Sequence, residues 1–149
     1  MTTTVWCRSR WLRYGIKWIV GCLLACVAFG YFVGGAIAVL LSDSGHPNAA
    51  VVVYRASLRI YPWNSYNRNN LGLLLLDASQ LRDAIAELRM AVGLEPQIAK
   101  FHNHLGLALA MGGQADEAIA EFREALRIDP RNVEYRKNLD AALARNATK

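Results

Sequence analysis

The chain has 149 residues and a formal net charge of +5, a length typical of one ordinary domain. Four positive charges stand in the N-terminal arm (Arg8, Arg10, Arg13 and Lys17) without an acidic residue, and elsewhere thirteen basic residues face twelve acidic ones. This near-neutral remainder excludes the strongly basic surface of a nucleic-acid-binding domain, and the absence of cysteine after residue 26 excludes a disulfide framework there.

Residues 18–41 form an apolar run without a charged residue. As a helix with a rise of about 1.5 Å per residue, this run is long enough for the roughly 30 Å hydrocarbon core of a bilayer. It predicts a transmembrane helix between a basic cytoplasmic arm (1–17) and a linker (42–47). The positive-inside rule places the N-terminus in the cytoplasm and the rest of the chain on the extracytoplasmic side, which is the periplasm in a bacterium.

Other interpretations of the N-terminus stay open. Residues 36–38 offer a small-residue cleavage site, so removal of residues 1–38 would release a secreted protein. Residues 23–26 resemble a lipoprotein processing site, and the acid-free first 17 residues also fit a mitochondrial presequence.

The predicted membrane helix carries a small residue at every fourth position. Such a stripe predicts a packing face for a second helix, from another copy or from a partner, although small residues are common in membrane helices. The stripe consists of Cys22, Cys26, Gly30, Gly34 and Ala38.

An internal repeat follows. Pro62, Pro96 and Pro130 are spaced by 34 residues, and each follows a similar segment, such as "RDAIAELRMAVGLE" (82–95) and "DEAIAEFREALRID" (116–129). Apolar residues recur at i, i+3 and i+4 within the two later copies, which predicts pairs of helices.

The segment "VVVYRASLRIYP" (51–62) reads locally as a strand. Aligned on Pro62, it becomes the second helix (48–61) of a copy whose first helix falls at about 31–44. Since only the linker separates 48–61 from the apolar run, we expect this helix to begin near the bilayer, with Arg55 and Arg59 facing lipid head groups or an acidic partner.

A 34-residue unit of two helices with this pattern resembles the tetratricopeptide repeat, although that family's early tryptophan and later tyrosine are absent. The resemblance implies an all-α fold: a transmembrane helix followed by a short solenoid (48–147) with a half repeat (48–61), two full repeats (65–98 and 99–132) and a capping helix (133–147). Close helix approach is expected where Gly72 faces Ala84 and Gly106 faces Ala118. The repeat-defining residues are Leu71, Gly72, Ala84, Ala91 and Pro96, then Leu105, Gly106, Ala118, Phe122, Ala125 and Pro130.

The resemblance also implies a concave groove, lined by the first helix of each pair, that binds an extended or helical segment of a protein partner. A weak carboxylate clamp from Lys100, Asn103 and Lys137 is a second possibility, and the leucines among the lining residues also fit an ordinary core. The predicted lining is Tyr66, Asn69, Leu73, Leu76, Asp77, Lys100, Asn103, Leu107, Met111 and Lys137.

No catalytic, metal or cofactor site is predicted, because His102 and His104 lie on different faces of one helix and His46 stands alone. We expect a non-enzymatic interaction module without a small-molecule substrate or nucleic acid. Its expected role is that of an accessory or assembly subunit of a membrane protein complex, in contact with other subunits and the lipid bilayer. The alternatives are a free membrane-anchored adaptor that recruits a soluble partner, and a secreted repeat protein.

Overall fold

The computed structural model describes residues 34–147. The predicted basic arm, most of the predicted membrane helix and three residues of its small-residue stripe (Cys22, Cys26 and Gly30) lie outside the described residues. Within the described range no helix is long and apolar enough to cross a membrane.

Seven helices and no strand occur among the described residues, which confirms the all-α prediction. The first helix, α1, comprises residues 34–43 of that range. The others are α2 (Pro47–Ile60), α3 (Ser65–Asp77), α4 (Leu81–Leu94), α5 (Ala99–Met111), α6 (Ala115–Ile128) and α7 (Val133–Ala147).

The ambiguous segment 51–62 lies mostly in α2, so the local strand interpretation is wrong and the helix prediction is confirmed. Pro47 stands in the first turn, where its missing N–H costs no hydrogen bond. The buried face of the helix consists of Ala50, Tyr54, Ser57 and Leu58. Packing of this face outweighs the weak helix propensity of three consecutive valines, which amounts to some tenths of a kcal/mol per residue.

Helix α1 is the first helix of the same repeat. Ala38 is completely buried in a cluster with Ala50 and Tyr54 of α2. A Cβ atom on Gly34 would lie 3.0 Å from the Ser57 hydroxyl oxygen. Gly34 and Ala38 therefore contact α2 of their own chain, which corrects their assignment to a face that packs on another membrane helix. The helix also includes residues 42 and 43, which the sequence placed in a linker.

The later helix pairs are held together by glycines in close contact with large side chains. A Cβ on Gly72 would lie 2.6 Å from Leu88 Cγ, and one on Gly106 would lie 2.7 Å from the Phe122 ring. The predicted close approach is confirmed, but the nearest atoms belong to Leu88 and Phe122, one helical turn beyond Ala84 and Ala118.

Each turn within a helix pair contains one residue in the left-handed backbone conformation. These residues are spaced by 34 positions and have φ angles of 80° at Gly45, 59° at Ser79 and 76° at Gly113. The residue after each one donates its N–H to a carbonyl five positions back, for example Gln80 to Leu75 at 2.8 Å. This bond pattern ends a helix by satisfying its last carbonyls.

The helices form two layers. The first helices of neighbouring pairs contact one another, α3 with α5 and α5 with α7, and each second helix packs between two first helices. Since α3, α5 and α7 are drawn together, their layer is the concave side of the solenoid.

Candidate protein-interaction groove

The groove is the concave surface formed by α1, α3, α5 and α7. Of its predicted lining, Tyr66 (48% exposed), Met111 (63% exposed), Asp77, Lys100 and Lys137 are exposed. Leu73 is half-buried. These side chains combine one acidic, two basic and several apolar groups on one face, a mixture that suits a protein segment.

An aromatic cluster fixes one basic group of the groove. The rings of Tyr66 and Phe101 meet edge to face with their centroids 5.3 Å apart, across the contact of α3 with α5. Lys100 Nζ lies 5.5 Å from the centroid of the Tyr66 ring, within the range of a cation–π interaction. Phe101 is buried, so the Tyr66 ring rests on a rigid base and holds the ammonium group at the groove surface.

The predicted groove residues Asn69 and Asn103 are inaccessible, since each is only 1% exposed. Asn69 Oδ1 accepts a hydrogen bond from His104 Nδ1 at 2.7 Å, and Asn103 Oδ1 accepts one from Asn138 Nδ2 at 2.8 Å. Both bonds join neighbouring first helices over 35 positions, so these asparagines stabilise the array. This burial corrects their assignment as partner-binding residues. It also means that the amide of Asn103 is not accessible to a partner's carboxylate, as the predicted clamp requires.

Leu76 and Leu107 are also more structural than predicted, because both are half-buried and pack against the core of the second and third repeats. The core interpretation therefore holds for these two. Leu73 belongs to neither core cluster and stays available at the groove surface.

The buried bond of His104 has an electrostatic consequence. Burial lowers the pKa of His104 below its ordinary value of 6.5, and the nearby charge of Lys100 lowers it further, against a smaller opposite effect of Glu134. The neutral ring, with its proton on Nδ1, donates to Asn69. This histidine is part of the polar contact between α3 and α5.

A cleft of about 330 Å³ opens between α1 and α3 at one end of the groove. The carboxylates of Asp43 and Asp77 stand at equivalent positions of successive repeats. Tyr54 also lines the cleft, and its hydroxyl accepts a hydrogen bond from Asn70 Nδ2 at 3.2 Å. Burial raises the pKa of Tyr54, the Asn70 bond opposes that rise, and Asp43 adds to it. The complete lining is Val39, Ser42, Asp43, Tyr54, Asn70, Leu73, Leu74 and Asp77.

The α1 side of this cleft was missed by the sequence reasoning. Val39 and Asp43 fell in the predicted membrane helix and linker, and their groove role follows only from a shift of Leu73 and Asp77 by 34 positions. The spacing was the available signal, and the continuous apolar composition of 18–41 obscured it.

His102 and His104 bond to different helices. The side chain of His102 bonds Glu121 at 2.7 Å, whereas that of His104 bonds Asn69 on another helix. Their predicted placement on different faces is thus confirmed. Within residues 34–147 no cluster of three or more potential metal ligands occurs.

A recurring basic residue was also missed. Arg68 donates to the carbonyl of Pro62 at 2.9 Å and to Glu87 at 2.7 Å. One repeat later, both ring nitrogens of His102 have equivalent partners, and Arg136 donates to the third proline carbonyl. The basic residue stands three positions before the Leu-Gly pair in the two complete copies, where the family pattern has its early tryptophan. The three sets, spaced by 34 residues, are Arg68/Pro62/Glu87, His102/Pro96/Glu121 and Arg136/Pro130.

The fold and the groove define a short helical-repeat solenoid of the protein-binding class. The sequence profile of the tetratricopeptide repeat family matches residues 69–133, and this segment belongs to that family. No curated protein sequence is significantly similar to the chain.

Solved structures of tetratricopeptide repeat proteins share the fold. The first repeat domain of Spaghetti (RPAP3), bound to the HSP90 peptide SRMEEVD, has a TM-score of 0.76 at 19% identity and covers 78% of this chain and 93% of its own. MamA of Desulfovibrio magneticus RS-1 has a TM-score of 0.72 at 24% identity, with 76% of this chain and 64% of that chain covered.

A third similar structure is a mutant O-GlcNAc transferase of Thermobaculum terrenum, with a TM-score of 0.73 and 30% identity. The match covers 78% of this chain but only 22% of the transferase. The similarity therefore concerns a small part of that enzyme.

Proposed function

We propose that the chain is a non-enzymatic, membrane-anchored interaction module that acts as an accessory or assembly subunit of a larger membrane protein complex. In this role the repeat groove binds a segment of a partner subunit, and the N-terminal apolar run holds the groove at the membrane.

The observation that carries this proposal is the composition of the groove. Leu73 and Met111 present apolar surface beside the charges of Asp77, Lys100 and Lys137, and the cleft between α1 and α3 leaves room for a side chain of a partner. Apolar anchors among fixed charges give a protein–protein contact both affinity and register. The HSP90 peptide in the RPAP3 structure is consistent with peptide binding by this fold.

The anchor is proposed from the sequence. Residues 18–33 contain no charged residue and are preceded by four basic residues within 1–17. Sixteen residues span about 24 Å as a helix, and the hydrocarbon core is roughly 30 Å thick. The proposed span therefore ends about one turn inside α1, with the repeats on the extracytoplasmic side.

The test is purification of the tagged full-length chain in a mild detergent from its native membrane, with quantification of the copurifying proteins. We expect a partner at fixed stoichiometry with the wild-type chain. Leu73→Glu places a carboxylate in the groove and should release that partner.

Ala120→Glu is the matched control, because it adds the same carboxylate to an exposed position on the outer helix α6. It should retain the partner. Recovery of the wild-type chain as a free monomer would contradict the subunit role, and equal recovery of the partner with both variants would contradict the groove as its binding site.

A further inference from the structure

The end of the first repeat that lies beside residue 34 is fixed by two close contacts. A Cβ on Gly34 would lie 3.0 Å from Ser57 Oγ, and one on Gly35 would lie 2.7 Å from Asn67 Oδ1. Ser57 and Asn67 stand on either side of the turn between α2 and α3 and are joined by a 3.0 Å hydrogen bond. The α2–α3 turn therefore lies next to the start of α1, at residues 34 and 35.

Under the proposed anchor, this geometry places the end of α2, and not its start, on the bilayer side of the first repeat. Helix α1 leads about 15 Å away from residue 34 before the chain turns at residues 44–46. The far end of α2, at Ile60, returns to the level of residue 34. Arg55 lies along this helix 3.9 Å from Asp83, so an acidic group of its own chain is already nearby.

The α2–α3 turn differs in chemistry from the two equivalent turns of the chain. At the position of Glu95 and Asp129 in the equivalent turns, the α2–α3 turn carries Tyr61. At the position of Gln97 and Arg131, it carries a tryptophan. That tryptophan, Trp63, is 77% exposed.

The residue that opens the turn is exceptional as well. Ile60 is 69% exposed, whereas the equivalent Leu94 and Ile128 are half-buried. The exposure of Ile60 and Trp63 shows that packing within the chain does not account for these two apolar side chains.

We propose that the α2–α3 turn is a membrane-interface contact, with Trp63 and Tyr61 in the head-group layer and Ile60 against the upper acyl chains. This inference rests on the proposed membrane anchor. A span of about 20 residues from Trp18 ends near Ile37, so residues 34–37 and the adjacent turn reach the same depth. Tryptophan and tyrosine favour that layer because one end of each ring system is apolar and the other is polar.

The neighbouring charge fits a lipid surface. Arg59 is exposed on the last turn of α2, next to Ile60, and a basic side chain at this depth can extend to a lipid phosphate. The equivalents of Arg59 are Gly93 and Arg127. At the position of Tyr61 the two equivalent turns carry the acidic Glu95 and Asp129, which an anionic lipid surface repels. The occupant that the turn fits is thus the lipid surface itself, and the first repeat is held by its own turn in addition to the apolar run.

The experiment uses the full-length chain with Trp63 as its sole tryptophan. The other three are replaced by Trp6→Phe, Trp11→Phe and Trp18→Phe. The chain is reconstituted in vesicles of phosphatidylcholine and phosphatidylglycerol, with and without bromine on the upper acyl chain. We expect Trp63 emission at shorter wavelength than in water and loss of most of its fluorescence in the brominated vesicles.

The matched control adds Trp63→Phe and His46→Trp, which moves the sole tryptophan to the exposed turn at the opposite end of the first repeat. Its emission should be that of a tryptophan in water, without quenching. This inference is overturned if the chain floats with the vesicles but Trp63 is not quenched. It is also overturned if Trp63 and the tryptophan at position 46 are quenched equally. Either result leaves the anchor intact. Failure of the chain to float would contradict the anchor, and the inference with it.

Discussion

Arg68 on α3 connects the preceding turn with the second helix of its own pair, which is unusual for a charged side chain that is only 8% exposed. It donates to the carbonyl of Pro62 in the preceding turn and to Glu87 on the second helix of the pair. A buried guanidinium is tolerated only when its donors are satisfied, and removal leaves its acceptors unpaired.

We therefore expect Arg68→Ala to lower the free energy of unfolding by about 2–3 kcal/mol. The measurement is denaturant unfolding of the full-length chain in mild detergent, followed by circular dichroism. Arg89→Ala is the control, because the ion pair of Arg89 with Glu117 joins side chains that are half-exposed, and such pairs contribute up to about 1 kcal/mol. Equal losses in the two variants would contradict the structural role of Arg68.

His104 makes the stability depend on pH. Its pKa is lowered in the folded chain, mainly by burial and then by Lys100, so the unfolded chain binds the proton more tightly. The stability that the neutral ring contributes is fully present at pH values above the ordinary pKa of 6.5. It is lost as the pH falls below 6.5 towards the pKa of the folded chain. His104→Gln, which removes the titrating group, should flatten the decline of stability in this acidic range. An unchanged acid dependence of the unfolding midpoint would contradict the prediction.

At the scale of the helices, the sequence predicted most of the array because the repeat places similar residues in similar surroundings. The 34-residue spacing identified α2 against its local strand character and located a first helix at about 31–44. The left-handed position shared by Gly45, Ser79 and Gly113 shows why composition alone is insufficient, since serine stands where the other two turns have glycine.

Other features could not be predicted because they depend on pairing between helices. The polarity of Asn69 and Asn103 suggested solvent-facing residues, but partners 35 positions later satisfy and bury them. An apolar residue in a membrane span looks the same as one in a core, so sequence alone did not separate α1 from the run 18–41. Trp63 also gave no periodic signal, because it has no counterpart in the other two turns.

The contact between α5 and α6 gives a prediction at this scale. Gly106→Leu or Gly106→Ala adds a Cβ that would lie within 3.0 Å of the Phe122 ring, and Phe122 is fully buried. Ala118→Leu overfills the same contact. We expect each change to lower the free energy of unfolding by about 1–3 kcal/mol or more.

Gly93→Ala is the control within a helix, because a Cβ at Gly93 meets no atom within 4 Å. Replacement of an exposed helical glycine by alanine should raise the stability by roughly 0.5–1 kcal/mol. Thermal unfolding of the variants compares the two sites. If Gly106→Ala is as stable as Gly93→Ala, the close packing of α5 on α6 is contradicted.

At the scale of the whole molecule, the first repeat is shared between two roles. Its helix α1 contributes Val39 and Asp43 to the groove, and the start of α1 continues from the apolar run. With the proposed anchor joined directly to α1, the binding face would stay at a fixed height above the bilayer, whereas a flexible linker would let the face move freely. This arrangement suits a subunit with one position in a complex.

Binding of a partner subunit in the groove is tested most directly by site-specific photocrosslinking of the full-length chain in intact native membranes, before any detergent is added. A photoreactive phenylalanine replaces Leu73 in the groove or, as the control, Ala120 on the outer face. We expect one discrete adduct of constant mass from position 73 and none from position 120. No adduct from position 73, or the same adduct from both positions, would contradict a groove that binds a partner subunit.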